Sequence, residues 1–359
     1  MRPAAGVIGQ PAFFPPVEYD DMKSIPSTWT GKGSRAMTMK EVAQLAGVSS
    51  AAVSRYLNGG YISEDKAARI KAAIERTGYV PSNQARALRT GSTRLIGVIV
   101  PKINSESIGR ITAGIGQVLR ERGYQMLLAD TDNDAASEVT YLELFQNHPV
   151  DGIILTGTMI TPAHRAFLKT ARVPVVITGQ RVAGCNCICH DDRGAARELA
   201  ERIAAAHTGK IAYIGVTRDD ESAGAAREDG FREGLAAAGR PLDDELYRES
   251  LFSVEGGYAC ADDLLACEPD ISFIACATDT IAAGAIHALA EHGATDAAAR
   301  VSGFGDNQFL RAVTGGIATV HFGYLTSGVK AAQMLLGIID GESSVAMQME
   351  LGYTIVGMG

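Results

Sequence analysis

At 359 residues with 46% hydrophobic content, the chain is too long for one ordinary domain and carries apolar material for two or three. No run approaches the ~18 consecutive apolar residues of a membrane span, the N-terminus lacks the basic-then-apolar order of a secretion signal, and six cysteines are too few for a disulfide scaffold; a cytoplasmic, reducing location is expected. The net charge of −8 argues against nucleic acid on average, yet residues 37–94 hold nine Lys/Arg against four Asp/Glu, so a small basic module sits on an acidic body.

Residues 1–36 contain Pro3, Pro11, Pro15, Pro16 and Pro26 without a sustained apolar period and are expected to be disordered, with Met37 and Met39 as alternative starts. Thr38 and Glu41 form a capping box, and Val42, Leu45 and Ala46 give the i, i+3, i+4 stripe of a short helix ended by Gly47. Ser49 caps a second helix closed by Asn58-Gly59-Gly60. Ser63, followed by Glu64 and Asp65, starts a third, whose Ile70 and Ile74 face inward until Gly78. Three short helices, the first two joined at a glycine, predict a helix-turn-helix module. Val53 and Leu57, four apart, point to its core and turn Ser50, Ala51, Ser54 and Arg55 outward. That face suits a DNA major groove, where arginine can pair with guanine; an ordinary polar surface helix is the alternative.

Beyond Arg94, apolar runs alternate with helical stretches: "LIGVIVP" at 95, "YQMLLAD" at 124, "VDGIILTG" at 150, "VPVVITG" at 173, "IAYIGV" at 211, "ISFIACATD" at 271 and "RVSGFGD" at 300. This order predicts parallel sheets covered on both faces, in about 265 residues that divide into two doubly wound subdomains. Ligands of such sheets sit at the carboxyl ends of the strands. Candidates there are Lys102, Gln180, Asp192, Thr278, Asp279 and Asp306, together with Arg227 three residues before Gly230-Phe231; carboxylates and an arginine lining one cleft suit the paired hydroxyls of a saccharide. Asp192 and Asp279 are equally good helix N-caps, and Lys102 is either an anchor for a sugar phosphate or a solvated lysine.

The stretch "TMKEVAQLAGVSSAAVSRYLNGGYISEDKAARIKAAIERTGYVPSNQARALRTGSTRLIGVIVP" resembles the head, hinge and first body strand of the lac-repressor (LacI/GalR) family. The body words "VDGIIL", "VPVVITGQ", "REDGF" and "GFGDN" are similar to its periplasmic-binding-protein-like core, and Gly179-Gln180 with Gly303-Phe304-Gly305 are most similar to the sucrose and related saccharide repressors. The resemblance implies an all-α helix-turn-helix DNA-binding head (37–81) and a hinge helix with linker (82–94). An α/β core of two doubly wound subdomains follows, one from 95–191 and 321–342, the other from 192–320 and 343–359. It implies base reading by Ser50, Ala51 and Arg55, and phosphate contacts from Ser54, Arg86, Arg89 and Arg94. Leu88 becomes a minor-groove wedge; a linker in which Leu88 packs on the body is the alternative. Asp192 and Arg227 match family sugar contacts, and Thr278, Asp279 and Asp306 match less closely. Where many relatives carry an acidic residue directly after the aromatic of the last strand, this chain has Gly305, so that contact is expected to be either lost or moved to Asp306.

Cys185, Cys187 and Cys189 alternate on one strand face beside His190, whereas structural zinc uses pairs two to four residues apart, so buried core thiols and no metal are expected. No Walker loop, no GxGxxG after the first strand and no nucleophile elbow point to an enzyme, and no cofactor is expected. A saccharide-binding protein without DNA function is the second reading and a sugar-phosphate enzyme the third. The first is a repressor of carbohydrate-utilisation genes that binds palindromic operator DNA and a small saccharide or sugar phosphate. The C-terminus lacks apolar heptads, which favours a homodimer over a tetramer.

Overall fold

The computed structural model describes residues 37–57, 59–79, 92–148 and 150–358, which form two compact units divided between Ser82 and Asn83. The expected disorder of residues 1–36 lies outside the described residues.

In the first unit, helix α1 (Met39–Ala46) starts at the expected capping box: Thr38 N–H donates to Glu41 Oε2 at 2.7 Å, and Glu41 N–H donates to Thr38 Oγ1 at 3.3 Å. Gly47, at φ 62°, ends it in the left-handed conformation that glycine adopts without a Cβ clash. Helix α2 (Ser50–Leu57) begins where Ala52 N–H donates to Ser49 Oγ at 3.2 Å, and α3 (Glu64–Thr77) stops at Gly78. Val42, Ala43, Ala46, Val53, Ile70, Ala73 and Tyr79 form the core. Leu45, expected on the inner stripe, is 44% exposed; the small Ala43 takes the inward place, which lets α1 and α3 approach closely.

The second unit contains two six-stranded sheets. The first is built from β1 (Leu95–Val100), β2 (Gln125–Asp130), β3 (Gly152–Thr156), β4 (Val175–Thr178), β5 (Asn186–His190) and β11 (Gln348–Leu351), in the order β2-β1-β3-β4-β5-β11, all parallel. Helices α4 (Glu106–Glu121) and α12 (Tyr324–Ile339) cover one face, and α5 (Ala135–Asn147) and α6 (Pro162–Thr170) the other. The second sheet runs β7 (Tyr247–Glu249), β6 (Lys210–Gly215), β8 (Ile271–Cys276), β9 (Val301–Phe304), β10 (Ala318–Phe322) and β12 (Tyr353–Val356), with only β12 antiparallel. It is flanked by α7 (Asp192–Ala206), α8 (Arg227–Ala237), α9 (Val254–Cys267), α10 (Asp279–Glu291) and the short α11 (Gln308–Thr314). Their fully buried strands read as continuous apolar runs because both faces are covered.

The chain passes between the sheets after His190, after Phe322 and at Gly352. This corrects the expected subdomain limits. β11 pairs with β5, Gln348 opposite Cys187 and Leu351 opposite His190, so within 343–359 only the part after Gly352 belongs to the second sheet. Residues 321 and 322, expected in the first subdomain, complete β10.

Helix pairs α4/α12, α7/α8 and α9/α10 pack with backbones in contact. At Gly114, Gly328, Gly230, Gly234, Gly257 and Gly284 an added Cβ would collide with a carbonyl oxygen of the partner helix.

Entry into the body is fixed by one carboxylate. Asp151 accepts from Ser92 Oγ at 2.5 Å, Thr93 N–H at 2.7 Å, Thr93 Oγ1 at 2.8 Å and Arg94 N–H at 3.0 Å. Partial burial works against its charge, but the bonds from Ser92, Thr93 and Arg94 outweigh it and hold its pKa below 3.8. A depressed folded pKa stabilises the fold above the unfolded value, and that contribution is lost as pH falls through the folded one. Asp151→Ala is therefore expected to cost about 2 kcal/mol at pH 7, read as a lower melting temperature. The gap to wild type should narrow below about pH 4; a gap that widens in acid contradicts the assignment.

Candidate functional site

The first candidate surface lies on the helical unit. Ser50, Ala51 and Arg55 are exposed on α2, Ser54 is half-buried, and Val53 is fully buried with Leu57 packed beside it, as the spacing predicted. Arg55 has a further restraint: a Cβ at Gly60 would collide with its Cγ, so the bare backbone at Gly60 lets the arginine stem lie across it. The expected wedge Leu88 and phosphate ligands Arg86 and Arg89 lie outside the described residues. Arg94, expected to contact phosphate, is exposed at the start of the larger unit. Its backbone has φ 58°, its guanidinium lies 4.8 Å from the Tyr124 ring centre, and Nη1 donates to the Arg122 carbonyl at 3.4 Å.

The second candidate is a cleft of about 160 Å³ in the larger unit, between the carboxyl ends of its two sheets. Strand order reverses between β1 and β3 in one sheet and between β6 and β8 in the other, which leaves loop ends apart and a crevice between them. Six of the seven expected ligand residues line it: Lys102, Gln180, Asp192, Arg227, Thr278 and Asp279.

At its centre Arg227 Nε donates to Asp192 Oδ1 at 2.8 Å and Nη1 donates to the Ala277 carbonyl at 2.6 Å. The guanidinium lies 4.7 Å from the Phe304 ring centre and 5.3 Å from that of Phe322. Burial opposes its charge, but Asp192 more than compensates, and its pKa is raised. Neither Asp192 nor Asp279 is a helix N-cap. Asp191 caps α7 and Thr278 caps α10, which leaves the next carboxylate in each case to face the cleft. Asp279 accepts from Thr319 Oγ1 and Asn307 N–H, both at 2.7 Å; burial raises its pKa, and these bonds partly offset the rise.

Asp306 is a correction. Its carboxylate accepts from Arg311 Nη1 at 2.9 Å and meets His321 Nδ1 at 2.9 Å, and it does not line the cleft. Gly305, at φ 141°, adopts a backbone that side-chain-bearing residues rarely take, and this turn carries Asp306 away from the crevice. Gly303 supports the site differently, since a Cβ there would displace the Asp279 carboxylate.

Several bonds close the cleft directly. Lys102 Nζ donates to the Phe252 carbonyl at 2.7 Å, Gln180 Nε2 to Asp220 Oδ1 at 2.8 Å, Ser222 Oγ to the Gly179 carbonyl at 2.6 Å, and Arg110 Nη2 to the Asp306 carbonyl at 3.0 Å. Glu106 accepts from Gln308 N–H at 3.1 Å, at the start of α11. Lys102 is thus half-buried and held by the Phe252 carbonyl: burial lowers its pKa, against the attraction of Asp132. Sequence reasoning missed Asp220, which also caps the π turn Glu221–Ala226 leading into Arg227 and whose pKa burial raises. It missed Glu106 and Arg110 as well, because their partners are about 200 positions away.

Cys187 and Cys189 are buried and Cys185 half-buried. Burial pushes the Cys187 thiol up to about 11, so it is a protonated core side chain at neutral pH. Among the described residues no group of three or more His, Cys, Asp or Glu is arranged to hold a metal ion, and no helix is long and apolar enough to cross a membrane.

Comparison with known proteins places both surfaces in context. Residues 38–82 match the family model described as "Bacterial regulatory proteins, lacI family", and residues 93–350 match "Periplasmic binding proteins and sugar binding domain of LacI family". The sucrose operon repressor of Staphylococcus xylosus is 31% identical over 301 residues, covering 84% of this chain and 93% of the relative. A solved complex of the transcriptional regulator CelR with cellobiose is 26% identical with a TM-score of 0.68, covering 90% of this chain and 100% of that one. The lac repressor dimer bound to operator and an anti-inducer has a TM-score of 0.79 at 20% identity, covering 90% and 98%, a likeness of fold.

Proposed function

The chain belongs to the LacI family of bacterial regulators, and we propose from this that it is a cytoplasmic, sequence-specific DNA-binding repressor of carbohydrate-utilisation genes. It acts as a homodimer on a palindromic operator and responds to a small neutral saccharide held in the cleft, without chemical turnover. The observation that carries this reading is the joining, in one chain, of an exposed reading helix bearing Arg55 to a closed polar cleft centred on Arg227. The head argues against a saccharide-binding protein with no DNA function.

A neutral ligand is favoured over a phosphate ester. Glu106, Asp192, Asp220 and Asp279 line the cleft against two cations, and Lys102 and Arg227 both already have partners. A phosphate there would meet net repulsion from desolvated carboxylates. Phe309 and Val313, each 80% exposed and four apart on α11, support association of two copies. The ligand acts on DNA binding through its differential affinity for closed and open cleft states.

Base reading rests mainly on Arg55, since Ser50 and Ala51 are small. Arg55→Ala is expected to weaken binding to a selected operator by about 1–3 kcal/mol and to relax preference at one base pair in each half-site. An unchanged preference in a binding-site selection would overturn this assignment.

A further inference from the structure

Most polar groups of the cleft are satisfied by the protein itself. Arg227 and Asp192 hold each other, Asp279 is held by Thr319 and Asn307, Asp220 by Gln180 and two backbone amides, and Lys102 by the Phe252 carbonyl. Two buried atoms differ. His190 Nε2, at the end of β5, and Ser327 Oγ, one turn into α12, have no hydrogen-bond partner, and both residues line the cleft. Buried polar atoms are nearly always paired, so an unpaired one calls for an explanation. Two on the walls of one cavity share the simplest explanation, a ligand that completes them.

We infer that His190 and Ser327 form a hydroxyl-recognising subsite that selects the effector. This inference rests on the saccharide reading above and adds the groups that discriminate among saccharides. The His190 ring lies 4.8 Å from the Phe322 ring centre and edge-on to Tyr324 at 5.4 Å, so packing fixes its plane. Burial, with Arg227 nearby, pushes its pKa down to about 4 against the pull of Asp192, so the ring is neutral in the cell. A neutral imidazole and a serine hydroxyl each donate or accept, as a sugar hydroxyl does, and neither compensates an ionic charge. Tyr324, which lines the cleft beside His190, offers a ring that suits the C–H face of a pyranose or furanose, while the buried Phe322 backs the imidazole.

The subsite also touches two of the three passages between the sheets. His190 immediately precedes Asp191 and α7, and Phe322 and Tyr324 flank Gly323 on the return to α12. A ligand bound here contacts the segments that any change of subdomain angle must bend.

The test is titration calorimetry of the full chain with a panel of neutral mono- and disaccharides, including sucrose, trehalose and cellobiose, and their phosphate esters as a second arm. His190→Phe keeps the ring in its aromatic stack and removes the nitrogen; Ser327→Ala removes only the hydroxyl. Each is expected to weaken the sugar that binds wild type by about tenfold or more, because the sugar hydroxyl is left unpaired in a closed site. The deoxy analogue lacking that hydroxyl should bind wild type and variant alike. Ser302→Ala is the control: its hydroxyl is also buried and unpartnered but lies outside the cleft, and affinity should not change. Thermal melts of each ligand-free variant report folding separately. Variants that bind the wild-type sugar within about twofold overturn the subsite while leaving the saccharide reading intact. Wild type that binds no neutral sugar, or binds only a phosphate ester, overturns both.

Discussion

Arg227→Ala is expected to lower the melting temperature of the body by about 10 °C and to abolish its saccharide-induced stabilisation. Truncation leaves the Asp192 carboxylate, 5% exposed, buried without its cation, and removes the donor to the Ala277 carbonyl and the layer over Phe304 and Phe322. Breaking a buried pair from one side costs about 3–5 kcal/mol, and each kcal/mol lowers the melting temperature of a unit this size by about 2–4 °C. Replacing both partners by apolar residues, Arg227→Met with Asp192→Leu, should recover most of the stability and none of the saccharide response, which separates packing from recognition. A single Arg227→Ala change that melts within about 2 °C of wild type would show that the pair is not desolvated as described.

Gly328→Ala is expected to destabilise by about 2–3 kcal/mol, whereas Gly109→Ala, on the neighbouring helix, should stabilise by about 0.5–1 kcal/mol. At Gly328 an added methyl would collide with the Ile111 carbonyl on α4, while the reciprocal Gly114 faces the Leu325 carbonyl, so neither backbone can yield without parting the helices. Gly109 has nothing within 4 Å of a built Cβ and lies on the exposed side of α4. Urea melts of both variants test this, since two glycine-to-alanine changes of the same sign would remove the close-packing argument. The α12 backbone also carries Tyr324 and Ser327, so the Gly328 variant should weaken saccharide binding as well.

The helical head was legible because its signals are local. A capping box spans four residues, and the glycines that end α1 and α3 act on their own backbone. Continuous apolar runs such as Leu95–Val100 disclosed the parallel sheets for the same reason. Interactions between distant parts of the chain were not legible. The stripe through Leu45 followed helical spacing but could not register that Ala43 permits a closer approach to α3. Return of the chain to the first sheet at β11 depends on pairing with β5, some 160 positions earlier. In the cleft, residue types at strand ends identified Asp192 and Asp279, and the family resemblance identified Arg227, whereas one residue of helix phase decided that Asp191 and Thr278 would be the caps. Asp306 was misplaced because the unusual backbone at Gly305 determines where its carboxylate goes. His190 was visible in "CNCICH", but its meaning came only with the rings of Phe322 and Tyr324 around it.

The most direct test of the account is fluorescence anisotropy of the full chain on duplexes selected from a random pool, with and without the neutral saccharide panel. The account predicts high-affinity binding to a palindromic sequence, weakened by added salt, and a change of about tenfold or more in that affinity with at least one neutral sugar. Absence of sequence preference, both with and without carbohydrate, would contradict it.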